Sequence, residues 1–225
     1  MKSLKLFTIA LTAILTITIF SSASQAQSTE LTGGTISFDL NEAELAGVGL
    51  TFSEAMDAVM SPSGPDFIGF EINARDAATN PTTFAYEANG TDLAPVSGTI
   101  ESTGSISFNS GATSFGNIRL GFDEDRITGP NSGFFGESTA GTFTGIVFDI
   151  SNGSNVNALA SGLTIEGGIS LSPELAGAIP GSTAGTNIGT FAIDATAAVP
   201  EPSSLGCVAI LGIMTTLRRR RKSLI

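Results

Sequence analysis

Ile118, Leu120 and Phe122 alternate with Arg119, Gly121 and Asp123, and this period of two recurs through the chain between residues 27 and 198. A side chain that returns to the same face at every second residue marks a strand with one buried face. Ile36, Phe38 and Leu40 keep the same parity, as do Ile146, Phe148 and Ile150. Leu163, Ile165, Ile169 and Leu171 hold it across Gly167, and Phe191 with Ile193 marks a last strand. Phe67–Asn73 is rich in Phe and Ile, Thr82–Ala88 carries Phe84 and Tyr86, and Gly98–Asn109 carries Ile100, Ile106 and Phe108. Gly, Asn, Ser and Pro separate these runs, as turns between antiparallel strands require. The expectation is a mainly β chain: a single antiparallel β-sandwich or jelly-roll-like domain with one or two short helices.

Two stretches break the alternation. Phe52, Ala55, Met56, Val59 and Met60 fall at helical spacing, and Thr51 with Glu54 has the form of a capping box. Ser172-Pro173-Glu174 reads as a helix start, with Ser172 as cap and Pro173 in the first turn. Several strands begin with Gly, then Thr or Ser, then an apolar residue, as in Gly34-Thr35-Ile36 and Gly141-Thr142-Phe143. Their spacing is irregular, which excludes a solenoid of fixed period. They read as turn glycines ahead of β-formers.

The charges are divided unevenly. Seven of the ten Lys and Arg residues are Lys2, Lys5 and Arg218–Lys222, so only Arg75, Arg119 and Arg126 lie between. Of the 21 acidic residues only Glu201 lies in the tail, so the middle carries a net charge of about −17. Such a domain repels phosphate backbones, which excludes nucleic acid as a partner, and attracts cations. The one cysteine, Cys207, is in the tail, so the middle has no disulfide and no thiol chemistry.

The chain has no histidine, and residues 27–198 have no lysine. That excludes Ser-His, Cys-His and Ser-Lys nucleophile systems and any zinc site built on His or Cys. Neither an aspartic-protease Asp-Thr-Gly nor a phosphate loop ending in Gly-Lys-Ser/Thr is present. Carboxylate pairs survive, and two of them suffice for glycoside hydrolysis. With no Trp and one Tyr, however, the chain lacks the common sugar-stacking residues, and its fifteen Phe are expected in the core. No catalytic residue is assigned. Asp123-Glu124-Asp125 is a candidate calcium loop, because hard cations take several oxygen ligands. Its spacing does not match an EF-hand, and Arg126 next to it can pair with a neighbouring carboxylate.

The two ends have a different character. Met1–Lys5 is basic, Leu6–Phe20 is apolar, and Ser24-Gln25-Ala26 offers small residues three and one positions before a cut. This is the layout of a secretory signal peptide over residues 1–26, removed by signal peptidase after Ala26 to leave Gln27 first. An uncleaved anchor is the alternative. At the other end stand Val199, Pro200, Glu201, Pro202 and Ser203, then an uncharged run over Leu205–Leu217, then Arg218, Arg219, Arg220, Arg221 and Lys222. The prolines hold the chain extended ahead of the apolar run. As a helix that run is about 20 Å long, shorter than a bilayer core, so flanking residues and snorkelling arginines must make up the difference. The basic cluster stays cytoplasmic, which places the domain outside, as the N-terminal segment also does.

Residues 199–225 resemble the PEP-CTERM sorting signal, with its motif at Pro200-Glu201-Pro202, an apolar span and a basic end in the same order. The resemblance is confined to this tail. It implies recognition by an exosortase, a membrane enzyme that cuts near the motif, in bacteria that make exopolysaccharide. The chain is then divided into residues 1–26, an acidic β-rich extracytoplasmic domain over 27–198, and a sorting signal over 199–225. Three function classes follow. The first is a non-catalytic surface or matrix protein associated with exopolysaccharide, its precursor anchored in the inner membrane. The second is a glycan- or ice-binding module, although no regular Thr-x-Thr ladder is present for ice. The third is a carboxylate-dependent glycan hydrolase.

Overall fold

The computed structural model of the chain describes residues 28–60, 64–90, 92–151 and 155–198. Residues 1–27, expected to carry a signal peptide, and 199–225, expected to carry a sorting signal, lie outside them. Among the described residues no helix is long and apolar enough to cross a membrane.

Among the described residues thirteen strands form one continuous antiparallel sheet. In chain order they are β1 (Ser28–Leu40), β2 (Phe52–Met56), β3 (Ile68–Glu71), β4 (Ala85–Asn89), β5 (Asp92–Ser97), β6 (Ile100–Glu101) and β7 (Ser105–Phe108). Then follow β8 (Thr113–Phe122), β9 (Asn131–Gly141), β10 (Gly145–Ser151), β11 (Asn155–Leu159), β12 (Gly162–Leu171) and β13 (Asn187–Ala197). Helix α1 (Glu42–Gly47) follows β1, and α2 (Pro173–Ala178) follows β12. Neighbours run β2-β7-β8-β9-β10-β12-β13-β1-β4-β5, with β11 added on β12, β3 on β1 and β6 on β8. The expected antiparallel architecture with two short helices is present.

The sheet curls because its inner face is apolar and must be covered. Phe38 meets Phe148 edge-on at 5.5 Å and Phe70 at 6.3 Å, so β1, β3 and β10 share one interior. Leu45 of α1 and Leu175 of α2 are buried against the same interior. They line a wholly apolar void of about 30 Å³ together with Phe108, Phe115, Val147 and Ile188. A space that small and that apolar stays dry. At the other end, Gly90 and Ala158 exchange backbone hydrogen bonds, joining the end of β4 to β11. Strands β4, β1, β13, β12 and β11 thereby close into a ring around Tyr86, whose hydroxyl donates to the Leu159 carbonyl at 2.6 Å.

Both helices carry side-chain caps. The Asn41 carboxamide accepts from the Ala43 and Glu44 amides, and Ser172 Oγ accepts from the Leu175 amide. The second helix is where the sequence places it. The first is not: Phe52–Met56 is a strand paired with β7. A register shift between Phe52 and Glu54 inserts one extra residue there. The bulge turns Phe52 and Ala55, three residues apart, toward the same interior, which imitates helical spacing. Met56, Val59 and Met60 are exposed.

Glycines mark the tightest approaches. A Cβ on Gly34 (φ +131°) would lie 2.2 Å from the Asp194 carbonyl oxygen of the paired strand. Gly34→Ala is therefore expected to lower stability by about 2–3 kcal/mol. Gly47→Ala, in open space at the end of α1, is expected to leave stability unchanged or slightly higher. Urea midpoints of the two variants check the contrast.

Candidate functional site

Alternation along β1, β13 and β12 sends polar residues to the face opposite the core. Glu166 stands across from both Asn155 and Ala192, and Ala192 stands across from Ser37. In the next row Asp39 stands across from Thr190. At strand spacing, β1 and β12 are about 10 Å apart across β13. The small Ala192 and the backbone of Gly167 and Phe191 keep the floor between them low. The result is a trough of about 590 Å³ lined by these residues and Phe67.

Phe67 forms the apolar wall. It directly precedes Ile68, which pairs with Phe38, while the Leu40 amide donates to the Pro65 carbonyl at 3.1 Å. Those bonds hold Phe67 beside Asp39, with a left-handed backbone at φ +54°. The residue is 60% exposed. A large aromatic residue in that backbone region, turned to solvent, gains nothing from the core. The Met60 side chain rests over Gly69, two residues further along. The opposite wall, Glu166 and Asn155, is polar.

The trough contains acceptors and no cation. Arg75 is paired with Glu30 at 2.9 Å. Arg119 is paired with Glu101 at 2.8 Å and Glu137 at 3.4 Å. Arg126 is paired with Asp149 and Glu174, each at 2.8 Å. All three arginines of the domain are thus held elsewhere. Among the described residues, neither Asp39 nor Glu166 has an ion pair or a side-chain hydrogen bond.

None of the trough residues is a site residue expected from sequence. Ser24, Ala26, Val199–Ser203 and Arg218–Lys222 are outside the described residues. Asp123, Glu124 and Asp125 sit in an exposed single turn, where the Asp123 carboxylate accepts from the Asp125 amide at 2.9 Å. Among the described residues no three His, Cys, Asp or Glu side chains are gathered closely enough to hold a metal ion. Arg126 reaches past this turn to Asp149 on β10 and Glu174 on α2, with its guanidinium 5.5 Å from the Phe135 ring centre. It pins the turn to the body of the domain.

None of the trough residues stands out in the sequence. Asp39, Glu166 and Thr190 read as the polar half of an alternation, and Phe67 reads as core. The one local signal is that Phe67 follows Gly64-Pro65-Asp66, a turn composition in which a buried ring is out of place.

No family model matches the chain, and no curated protein matches it. The crystal structure of the C-terminal domain of HtaA from Corynebacterium glutamicum aligns with a TM-score of 0.48 at 13% identity. The alignment covers 76% of this chain and 99% of that one.

The Arg126 cluster sets a pH dependence. Hydrogen bonds from Arg126 hold the Glu174 carboxyl below its ordinary value, against an opposing effect of burial. A carboxyl held low in the folded state contributes stability above its unfolded value of about 4.3, and that stability is lost as pH falls through the lower folded value. The urea midpoint of the protein is expected to fall as pH drops below about 4.5. Glu174→Gln should lower the midpoint at neutral pH and flatten that acid decline, read from urea titrations at several pH values.

Proposed function

We propose that the chain is an exported, non-catalytic surface or extracellular-matrix protein, associated with exopolysaccharide and sorted by an exosortase-like enzyme. In this reading signal peptidase removes residues 1–26. The tail then holds the precursor in the inner membrane with the domain outside, until the enzyme acts at Val199–Ser203. The curled sheet is the sandwich- or jelly-roll-like body that is displayed.

One observation carries the reading. The first strand pairs antiparallel with the last, from Leu31 opposite Ala197 to Leu40 opposite Gly189. The chain therefore enters and leaves the domain side by side at one pole, where the Ala198 amide donates to the Glu30 carbonyl. A tether attached after residue 198 leaves from that pole. The trough lies toward the other end of the same strand pair, about 25 Å away at strand rise. Tethered so, the domain presents the trough away from the attachment point. The chemistry of the described residues supports a binding role: the trough sets carboxylates and hydroxyls beside an exposed aromatic face.

Replacing Glu201-Pro202 with Ala-Ala should trap the precursor in the inner-membrane fraction, whereas normal release would remove the sorting role of the motif. Deleting the gene should weaken matrix cohesion or surface attachment and leave growth on polysaccharides intact. Growth lost on one glycan, and restored by the wild type but not by a carboxylate variant, would make the protein a hydrolase.

Calcium at Asp123–Asp125 belongs to the same proposal as a bridge to acidic polymers, whose own carboxylates would complete the ligand set that the turn alone does not supply. Millimolar calcium is expected to raise the melting temperature by mass action, and chelator to reverse it. Indifference to both leaves the turn as a solvated loop.

A further inference from the structure

The trough has a chemistry that narrows its ligand. One wall is an exposed aromatic face, Phe67. The other is Glu166 with Asn155, and Asp39 and Thr190 form the next row. The volume of about 590 Å³ falls within the usual range for small-ligand sites, about 300–1,000 Å³. A ligand that fits both walls has an apolar face and a polar rim, as a pyranose ring does. Its C–H face lies on Phe67, and its hydroxyls reach side chains set at strand spacing.

The charge selects among pyranoses. Two carboxylates without a counter-ion repel uronates, sulfates and phosphates, and no arginine or lysine is present to reverse that sign. A neutral sugar can hydrogen-bond here but leaves both charges uncompensated. A protonated amine compensates them and is also drawn to the face of the Phe67 ring. A basic peptide would supply the charge but not the ring that matches the walls.

We propose that this trough binds an amino-sugar unit of a polysaccharide, with Phe67 as the stacking platform and Glu166 and Asp39 as acceptors for the protonated amine. The assignment deepens the matrix reading by naming a partner class. It concerns the domain alone, so its failure would leave the sorting of the tail untouched, and the reverse.

The test is calorimetric titration of the full chain in mild detergent at low salt. The probes are glucosamine hexamer, N-acetylglucosamine hexamer, glucose hexamer, galacturonate hexamer and pentalysine. The glucosamine hexamer is expected to bind, at least tenfold more tightly than the acetylated and glucose hexamers, with no binding of galacturonate. Phe67→Ala and Glu166→Gln should each weaken that binding about tenfold. Both sites are exposed, so the melting temperature should hold, and Glu44→Gln on α1 should bind as the wild type does. Absence of glucosamine-hexamer binding would overturn the proposal. So would binding undiminished in both variants, equal affinity for the acetylated hexamer, or equal affinity for pentalysine. Hydrolysis of the hexamer that is lost in Glu166→Gln would overturn the binding role in favour of catalysis.

Discussion

The pairing of β1 with β13 is the constraint on which the rest of the domain depends. It joins residues far apart in the chain, such as Ile36 with Ile193. Closing a loop of that length costs conformational entropy that only a long, well-registered ladder can offset. Two glycines let the backbones meet: a Cβ on Gly34 would strike the Asp194 carbonyl, and one on Gly189 the Asp39 carbonyl. The inward residues Ile36, Phe38, Phe191 and Ile193 then fix the register, since a slip of one residue would turn every one of them to solvent. Strands β3, β4 and β12 are added to this pair, and the ring around Tyr86 closes through it.

The same alternation that builds the core builds the trough. Phe38 and Phe191 point inward because Asp39, Thr190 and Ala192 point outward. The polar surface is therefore fixed as firmly as the packing beneath it. The three arginines act around this frame as staples. Arg119 bridges β8 to β6 and β9, Arg126 ties a surface turn to β10 and α2, and Arg75 reaches Glu30 near the pole where the chain ends meet. With every arginine among the described residues so used, the outer face of the β1–β13 pair keeps its negative sign.

Much of the fold was legible in the sequence because alternation reports burial on one face directly. The strands through Ile36–Leu40, Ile118–Phe122, Ile146–Ile150 and Leu163–Leu171 follow it, and so does the helix capped by Ser172. The reading failed where a bulge breaks the period: between Phe52 and Glu54 one extra residue gave a strand the spacing of a helix. It also passed over α1, although Asn41 and Glu44 stand in capping positions, because so short a helix buries only Leu45. Strand β9 went unseen because Gly133 and Gly136 stand where a periodic residue would. The Phe148 ring fills the space a side chain at Gly136 would take. The trough was not legible, because its walls come from residues 39, 67 and 166, and no local pattern connects them. The exposure of Phe67 is a property of the tertiary pairing of Ile68 with Phe38.

Hydrogen exchange measured by mass spectrometry tests the central claim most directly. If the β1–β13 ladder holds the domain together, peptides covering residues 31–40 and 189–197 should exchange slowest, at one shared rate set by global unfolding. Peptides covering the edge strands β2 and β5 should exchange faster. Exchange of β1 or β13 as fast as those edges, or protection of one strand without the other, would contradict the account.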